Sequence, residues 1–213
     1  MPIHSESRGP RIGPENPARE VEIAFDVVCP YAYLASTQIE ALAARTGASI
    51  LWSPILLGGV FRAIGQSDDP NRTMSDAKRA HTELDLRRWS EHFAVPLVRR
   101  ADHPRRTVLA MRAICASEPA LRVRAIHALF AAYHARGEDI SDAAIVRAAL
   151  DHAGLDGEAL VLRADDQTVK DDLRARTALA VDRGVFGVPA MFVDGELYWG
   201  QDRLDWVEEA LSR

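Results

Sequence analysis

An alternating apolar run that ends in a cysteine and a proline is the feature that most constrains how this chain folds. Apolar side chains occupy every second position over residues 21–27, which predicts a β-strand with a buried face. Pro30 suits the first turn of a helix, because its missing N–H group has no intrahelical partner to lose there. The sequence therefore places Cys29 where a strand ends and a helix begins.

The position of Cys29 favours a functional thiol. A helix N-terminus presents unpaired N–H groups and the positive end of the helix dipole, so we expect a lowered pKa for the Cys29 thiol. Ala32 stands where a Cys-x-x-Cys motif has its second cysteine, which excludes a dithiol redox pair here. A structural role for Cys29 remains the alternative, because free cysteine is among the most frequently buried residue types.

The amino-acid composition indicates a globular protein with a net negative charge. With 213 residues, of which 47% are hydrophobic, the chain can bury the core of one large domain or of a small domain that carries an insertion. A net charge of -5 argues against a nucleic-acid-binding protein, whose binding face is usually basic. No apolar run indicates a membrane span, and residues 1–20 lack the apolar core of a secretory signal, so we expect a cytoplasmic protein.

Neither a metal site nor a nucleotide cofactor is predicted. The histidines show no His-Glu-x-x-His spacing, and only one cysteine lies near the candidate site. No glycine-rich phosphate loop follows a strand. A disulfide between Cys29 and Cys115 is not expected in a reducing compartment.

The first half of the chain predicts a strand, a helix, a second strand and then a helical block. The first helix ends near Gly47, and a short strand over residues 48–52 returns beside the first strand as its parallel neighbour. Gly58-Gly59 and residues 65–72 are interpreted as loop. Helical periods without a convincing strand then continue to about residue 164.

The last third of the chain predicts a helix, a hairpin and a closing helix. The first of these helices extends from about residue 167 to Gly184. Asp194-Gly195 supplies the positive φ angles of a tight turn between strands at 190–193 and 196–199. Asp202 is well placed to cap the closing helix.

This order of elements is that of a thioredoxin-like α/β fold with an all-α insertion. We assign residues 1–19 to a flexible tail, 20–56 together with 166–213 to the thioredoxin-like domain, and 57–165 to the helical insertion domain. In such a fold the loop before Pro189 lies beside the thiol. A cis Val188-Pro189 bond would leave the Val188 amide and carbonyl free for an extended peptide that contains cysteine.

The chain resembles the bacterial 2-hydroxychromene-2-carboxylate isomerases, which are similar to kappa-class glutathione transferases and, more remotely, to the oxidoreductases called disulfide-bond proteins A. The resemblance extends from about residue 21 to the C-terminus. Its matching motifs are FD at 25–26, CPYAYLA at 29–35, LLGGVFRA at 56–63, DLRRW at 85–89, GEDISD at 137–142, GVFGVP at 184–189 and WGQDRL at 199–204.

The resemblance implies a homodimer of thioredoxin-like domains that binds glutathione. By position, Cys29 would be the catalytic residue that contacts the glutathione sulfur, and Val188 with the cis-proline Pro189 would bind the cysteinyl backbone. The remaining residues with an implied cofactor-binding role are Gln201 and Asp202 at the γ-glutamyl end and Arg62 at the glycyl carboxylate or an acidic substrate. The carboxylate of Asp202 can accept hydrogen bonds from the glutathione ammonium.

The implied reaction is an isomerisation in the catabolism of aromatic compounds. In the family a chromene carboxylate opens to a benzylidenepyruvate, whose double bond must rotate. Glutathione thiolate adds to the enone, the bond rotates while it is single, and the thiol is expelled. The implied partner is an aromatic carboxylate or another small electrophile.

The chain departs from this family at Cys29, where the family has serine. A hydroxyl donates a hydrogen bond to a thiolate, whereas a thiol is a weak donor. A second hypothesis is therefore a glutathione-linked monothiol oxidoreductase or a kappa-like transferase, in which Cys29 forms a mixed disulfide with glutathione. A third is a glutathione-binding adaptor without catalysis.

Overall fold

A computed structural model describes residues 19–67 and 74–213, and its centre is one mixed sheet with the strand order β2-β1-β3-β4. The strands are β1 (Glu20–Phe25), β2 (Ser49–Pro54), β3 (Ala190–Val193) and β4 (Glu196–Trp199). Strand β1 pairs in parallel with β2 and antiparallel with β3, and β4 pairs antiparallel with β3. The predicted parallel pair and the predicted hairpin are both confirmed, with positive φ angles at Asp194 and Gly195.

Helices make up most of the remaining described residues. They are α1 (Pro30–Ser36), α2 (Ile39–Thr46), α3 (Leu57–Ala63), α4 (Asp76–His92), α5 (Val108–Ala116), α6 (Pro119–Phe130), α7 (Ala143–His152), α8 (Gly157–Arg163), α9 (Gln167–Asp182) and α10 (Leu204–Leu211). A π-helical turn over Ala131–Ala135 follows α6, and a 3-10 turn over Gln201–Arg203 precedes α10. Within the described ranges, no helix has the length and apolar character needed to cross a membrane.

Two predictions about the helices are wrong in detail. The predicted first helix is two helices, α1 and α2, and Gly47 ends the second in a left-handed conformation at φ 70°. Gly58 and Gly59 lie inside α3 and not in a loop. A Cβ at Gly59 would be 3.0 Å from Cγ2 of Thr177, so glycine at this position lets α3 pack closely against α9. Most of the predicted loop over 65–72 lies outside the described residues.

The fold is α/β and thioredoxin-like with added helices, as predicted. Strand β1 is central, and its Val21, Ile23 and Phe25 side chains are completely buried. Buried side chains of the sheet and of the helices α3 and α5 to α9 belong to one cluster, which does not include Leu86, the buried residue of α4. The division at 56/57 and 165/166 stays a prediction, and residues 1–18 of the predicted tail lie outside the described residues. Both cysteines are free.

Candidate active site

The structure brings Cys29 and the cis-proline loop together at one edge of the sheet, where β1 ends and its neighbour β3 begins. Cys29 is the N-cap of α1, and Pro30 is the first residue of that helix, as the sequence predicts. The bond between Val188 and Pro189 is cis. Cys29 Sγ lies 3.0 Å from the carbonyl oxygen of Val188. A carbonyl oxygen can only accept, so the thiol is the donor, although 159 residues separate the two along the chain.

The predicted lowering of the Cys29 pKa is wrong. Only 7% of Cys29 is exposed, and burial raises the pKa of its thiol to about 11. The N–H groups of Ala32 and Tyr31 at the start of α1 favour the thiolate, but they do not offset the loss of hydration. The helix N-terminus therefore acts in the expected direction, and Cys29 nevertheless stays a protonated donor at neutral pH.

The buried acid Asp26 lies three residues before Cys29 and binds main-chain groups of residues 28, 29 and 57. Its carboxylate accepts hydrogen bonds from the N–H groups of Val28 at 3.0 Å and of Leu57 at 2.9 Å. Its carbonyl accepts from the Cys29 N–H at 3.0 Å. Burial raises the pKa of the Asp26 carboxyl, and its charge contributes to the raised pKa of Cys29. The sequence signals for this residue were an acid at the end of an apolar strand and the FD motif at 25–26.

Two partly exposed aromatic rings lie together, one from the cis-proline loop and one from the end of β4. Phe186 and Trp199 are 43% and 51% exposed, and their ring centroids are 4.9 Å apart. The indole lies over Gly187, where an added Cβ would be 2.7 Å from its Nε1 atom. The Gly200 N–H donates to the Pro189 carbonyl at 3.0 Å, which ties the end of β4 to the loop.

Gln201 and Asp202 lie in the 3-10 turn, which packs against α1. Gln201 is only 6% exposed, yet its side chain makes no hydrogen bond to any described residue. The Asp202 carboxylate is partly exposed and lies 3.2 Å from Nη1 of Arg203. Asp202 does not cap the closing helix, because the extra turn shifts the start of α10 to Leu204, so that interpretation was wrong.

Arg62 is not brought to the thiol by any contact in the described residues. It lies in the last turn of α3, exposed, with no ion pair to another described side chain. Helix α3 begins at the Asp26 carboxylate, so Arg62 lies more than one helical turn beyond that anchor. Its predicted role stays a prediction.

The sequence reasoning missed His134 and the pairing of Tyr31 with Asp85 around α1. His134, in the π-helical turn, lies with Nε2 2.7 Å from the carbonyl oxygen of Val27, so this nitrogen carries a proton and donates. Burial lowers the pKa of His134 to about 3, and the ring is therefore neutral at pH 7. Tyr31 donates to a carboxylate oxygen of Asp85 on α4 at 3.3 Å. No periodicity or short motif connects His134 with Val27 or Tyr31 with Asp85, because the two members of each pair are far apart in the chain.

The described residues contain no cluster of three or more histidine, cysteine or acidic side chains that could hold a metal ion. The Val188 carbonyl, which was expected to be free, accepts from the Cys29 thiol. The site therefore offers a protonated thiol, the free N–H of Val188 beside a cis proline, and the unpaired amide of Gln201. These groups suit a short peptide that carries a sulfur atom.

Comparison with known proteins agrees with this architecture. The sequence profile of the DSBA-like thioredoxin domain matches residues 20–212. A 2-hydroxychromene-2-carboxylate isomerase from Sphingobium xenophagum is 31% identical over 91% of this chain and 98% of its own. A glutathione S-transferase kappa 1 from Homo sapiens is 24% identical over 91% of each chain. A solved structure of a 2-hydroxychromene-2-carboxylate isomerase matches with a TM-score of 0.83 at 28% identity, over 91% of this chain and 95% of that one.

Proposed function

Because the chain belongs to the 2-hydroxychromene-2-carboxylate isomerase family of DSBA-like thioredoxin domains, we propose that it is a glutathione-dependent cis-trans isomerase of aromatic enone carboxylates. The chain is an enzyme, an isomerase of that family. Glutathione as cofactor and the substrate class belong to the proposal. The observation that carries it is the Cys29 S–H group held at the carbonyl of Val188 beside a cis proline.

The residues present fit glutathione. The Val188 N–H makes no hydrogen bond to a described residue, so a main-chain donor is free next to the thiol. The side-chain amide of Gln201 makes no hydrogen bond to a described residue and lies in the turn beside α1. A tripeptide would supply the main-chain and carboxylate groups that these donors lack.

The residues of the chain would position glutathione and stabilise the charges of its thiolate and its ammonium group. When bound, glutathione supplies the thiolate that adds to the enone and is later expelled, so that the double bond is single while it rotates. Cys29 keeps its proton, which it donates to the Val188 carbonyl in the structure and which would turn to the glutathione sulfur on binding, the role that the resemblance gives to serine. Asp202 provides a partly exposed carboxylate for the γ-glutamyl ammonium.

Monothiol redox chemistry is the second candidate, because Cys29 replaces the serine of the family. That chemistry requires the thiolate of Cys29 as nucleophile. A thiol pKa of about 11 leaves little thiolate at pH 7, which favours the isomerase. The binding adaptor, the homodimer and the cytoplasmic location stay predictions.

Substitution of Cys29 tests the proposal. We expect Cys29→Ser to keep or raise glutathione-dependent isomerisation of cis-2-hydroxybenzylidenepyruvate, measured by ultraviolet absorbance, while Cys29→Ala loses rate. Cys115→Ser is the matched control, because Cys115 is a buried thiol on α5 outside the site. Loss of turnover in Cys29→Ser, together with a glutathione adduct on Cys29 in the wild-type protein by intact mass, would favour the redox function. Binding of glutathione without turnover would indicate the adaptor.

A further inference from the structure

The loop between β1 and α1, residues 26–29, ends in Cys29 and is called the thiol loop below. Both polar main-chain groups of Val27 in this loop are bound by side chains from distant helices. The Val27 N–H donates to Sδ of Met111 on α5 at 3.4 Å, and the Val27 carbonyl accepts from Nε2 of His134 at 2.7 Å. A thioether is a weak acceptor, so His134 makes the stronger of the two bonds.

Both partners of the bond between His134 and Val27 are deeply buried. Val27 is completely buried, and only 2% of His134 is exposed. Water cannot take the place of either partner there, and a buried carbonyl that loses its donor costs more free energy than an ordinary hydrogen bond contributes. Because the His134 ring is neutral at pH 7, the bond fixes the geometry of the thiol loop and adds no charge to it.

The orientation of the His134 ring is itself fixed by two tyrosines. Tyr33 on α1 stacks on the ring, with centroids 5.2 Å and planes 16° apart. Tyr133 meets the ring edge-on at 4.7 Å. The Tyr33 N–H donates to the Cys29 carbonyl at 3.1 Å, one helical turn earlier. The same imidazole therefore contacts the loop that leads to the thiol and the helix that follows it.

A π-helical turn carries His134. In this turn the Arg136 N–H donates to the carbonyl of Ala131, five residues earlier, at 2.9 Å. Such turns are rare and frequently occur at functional sites. Here two consecutive side chains of the turn bind two different segments: the Tyr133 hydroxyl accepts from the Arg105 N–H at 3.1 Å, and His134 donates to the thiol loop. The irregular turn thus lies where a donor for the thiol loop is needed.

We propose that His134 is a positioning residue for Cys29: by binding the Val27 carbonyl, its Nε2–H group holds the thiol at the carbonyl of Val188. The contact of 3.0 Å between Cys29 Sγ and the Val188 oxygen requires one conformation of the thiol loop, and His134 stabilises that conformation. The inference rests on the proposed function for its catalytic consequence, the placement of the S–H group at the glutathione sulfur. The position of the thiol itself can be tested without glutathione or enone.

The reactivity of Cys29 in the folded protein tests the assignment, measured with an aromatic disulfide in the Cys115→Ser background. His134→Phe keeps a ring for Tyr33 to stack on and removes the donor. Opening of the thiol loop then no longer breaks this hydrogen bond, so we expect the rate constant to rise about tenfold. His134→Gln carries an amide N–H near the position of Nε2, and its rate constant should stay within about twofold of that of the parent protein.

Two further variants separate the hydrogen bond from a general loss of stability. His134→Asn carries its amide near the position of Nδ1, short of the Val27 carbonyl, and should accelerate the reaction as His134→Phe does. Leu150→Ala is the matched control, because Leu150 is a completely buried residue of α7 outside the thiol loop. It should lower the free energy of unfolding in urea and leave the rate constant of Cys29 unchanged.

Three results would overturn the inference. The first is equal acceleration in Leu150→Ala and His134→Phe, which would assign the effect to stability alone. The second is an unchanged rate constant in both His134→Phe and His134→Asn. The third is equal acceleration in His134→Gln and His134→Phe, because the donor would then be irrelevant.

The failure of this inference and the failure of the proposed function can be told apart. If both are right, kcat of the isomerisation falls in His134→Phe and is restored in His134→Gln. If His134→Phe accelerates the reaction of Cys29 but the wild-type protein isomerises no enone with glutathione, the proposed function fails and the positioning role stands. If the wild-type protein isomerises enones and His134→Phe changes neither the reactivity of Cys29 nor kcat, the proposed function stands and the positioning role is wrong.

Discussion

The ionisation of the Cys29 thiol can be measured in the Cys115→Ser variant, in which Cys29 is the only cysteine. Burial holds the pKa of Cys29 at about 11. At pH 7 such a thiol is ionised to roughly one part in ten thousand, compared with roughly 3% for a free cysteine of pKa about 8.5. The thiolate that does form is roughly tenfold more nucleophilic, because nucleophilicity rises with basicity. We therefore expect Cys29 to react with a disulfide reagent about 30-fold more slowly than an ordinary thiol, before any loss of access.

The assay compares the folded Cys115→Ser protein with the same protein unfolded in urea, using an aromatic disulfide whose released thiol absorbs light. The folded rate should rise about tenfold per pH unit up to pH 9 without a plateau. The unfolded rate should level off near pH 9, because an exposed cysteine is then largely ionised. A folded rate equal to the unfolded one at pH 7, or a plateau below pH 8, would refute the reasoning and restore the redox function as the leading one.

Two further predictions concern residues around the thiol. The His134 pKa of about 3 lies below its unfolded value, so its contribution to stability is complete above pH 6.5 and is lost as the pH falls toward 3. From this group we expect the free energy of unfolding of the wild-type protein to fall by about 2 kcal/mol between pH 7 and pH 5. In His134→Gln the fall should be smaller by that amount, measured by urea unfolding. Equal falls in the two proteins would contradict this. Gly187→Ala should displace the Trp199 indole and cost about 1–3 kcal/mol, with a shift in tryptophan fluorescence that an unstrained substitution would not give.

The parts of the site that could be predicted from the sequence are those with a local signature. The alternating strand before Cys29 and the proline after it specify a strand-to-helix junction within ten residues, and the structure has it. The cis bond before Pro189 was expected from the thioredoxin-like order of elements, because a proline by itself favours the trans isomer. At the junction the backbone preference of Pro30 decides the local conformation.

The parts that could not be predicted depend on distant packing. The pKa of Cys29 is set by how deeply the helices bury it, and spacing along the chain carries no information on depth. His134 binds the Val27 carbonyl, and the Pro96 carbonyl accepts from Tyr33 on α1, through contacts between elements that are far apart in sequence. The helix over Gly58-Gly59 was missed because two glycines usually indicate a loop, whereas here close packing against Thr177 requires one of them.

The hydrogen bond between the Asp26 carboxylate and the Leu57 N–H affects how this family can diverge. The donor is a main-chain group, so every residue except proline can supply it at position 57. Substitutions on α3 and in the helices that follow can accumulate without altering the bond that fixes where those helices start relative to Cys29. The residues of these helices can therefore vary while the start of α3 keeps its position relative to Cys29.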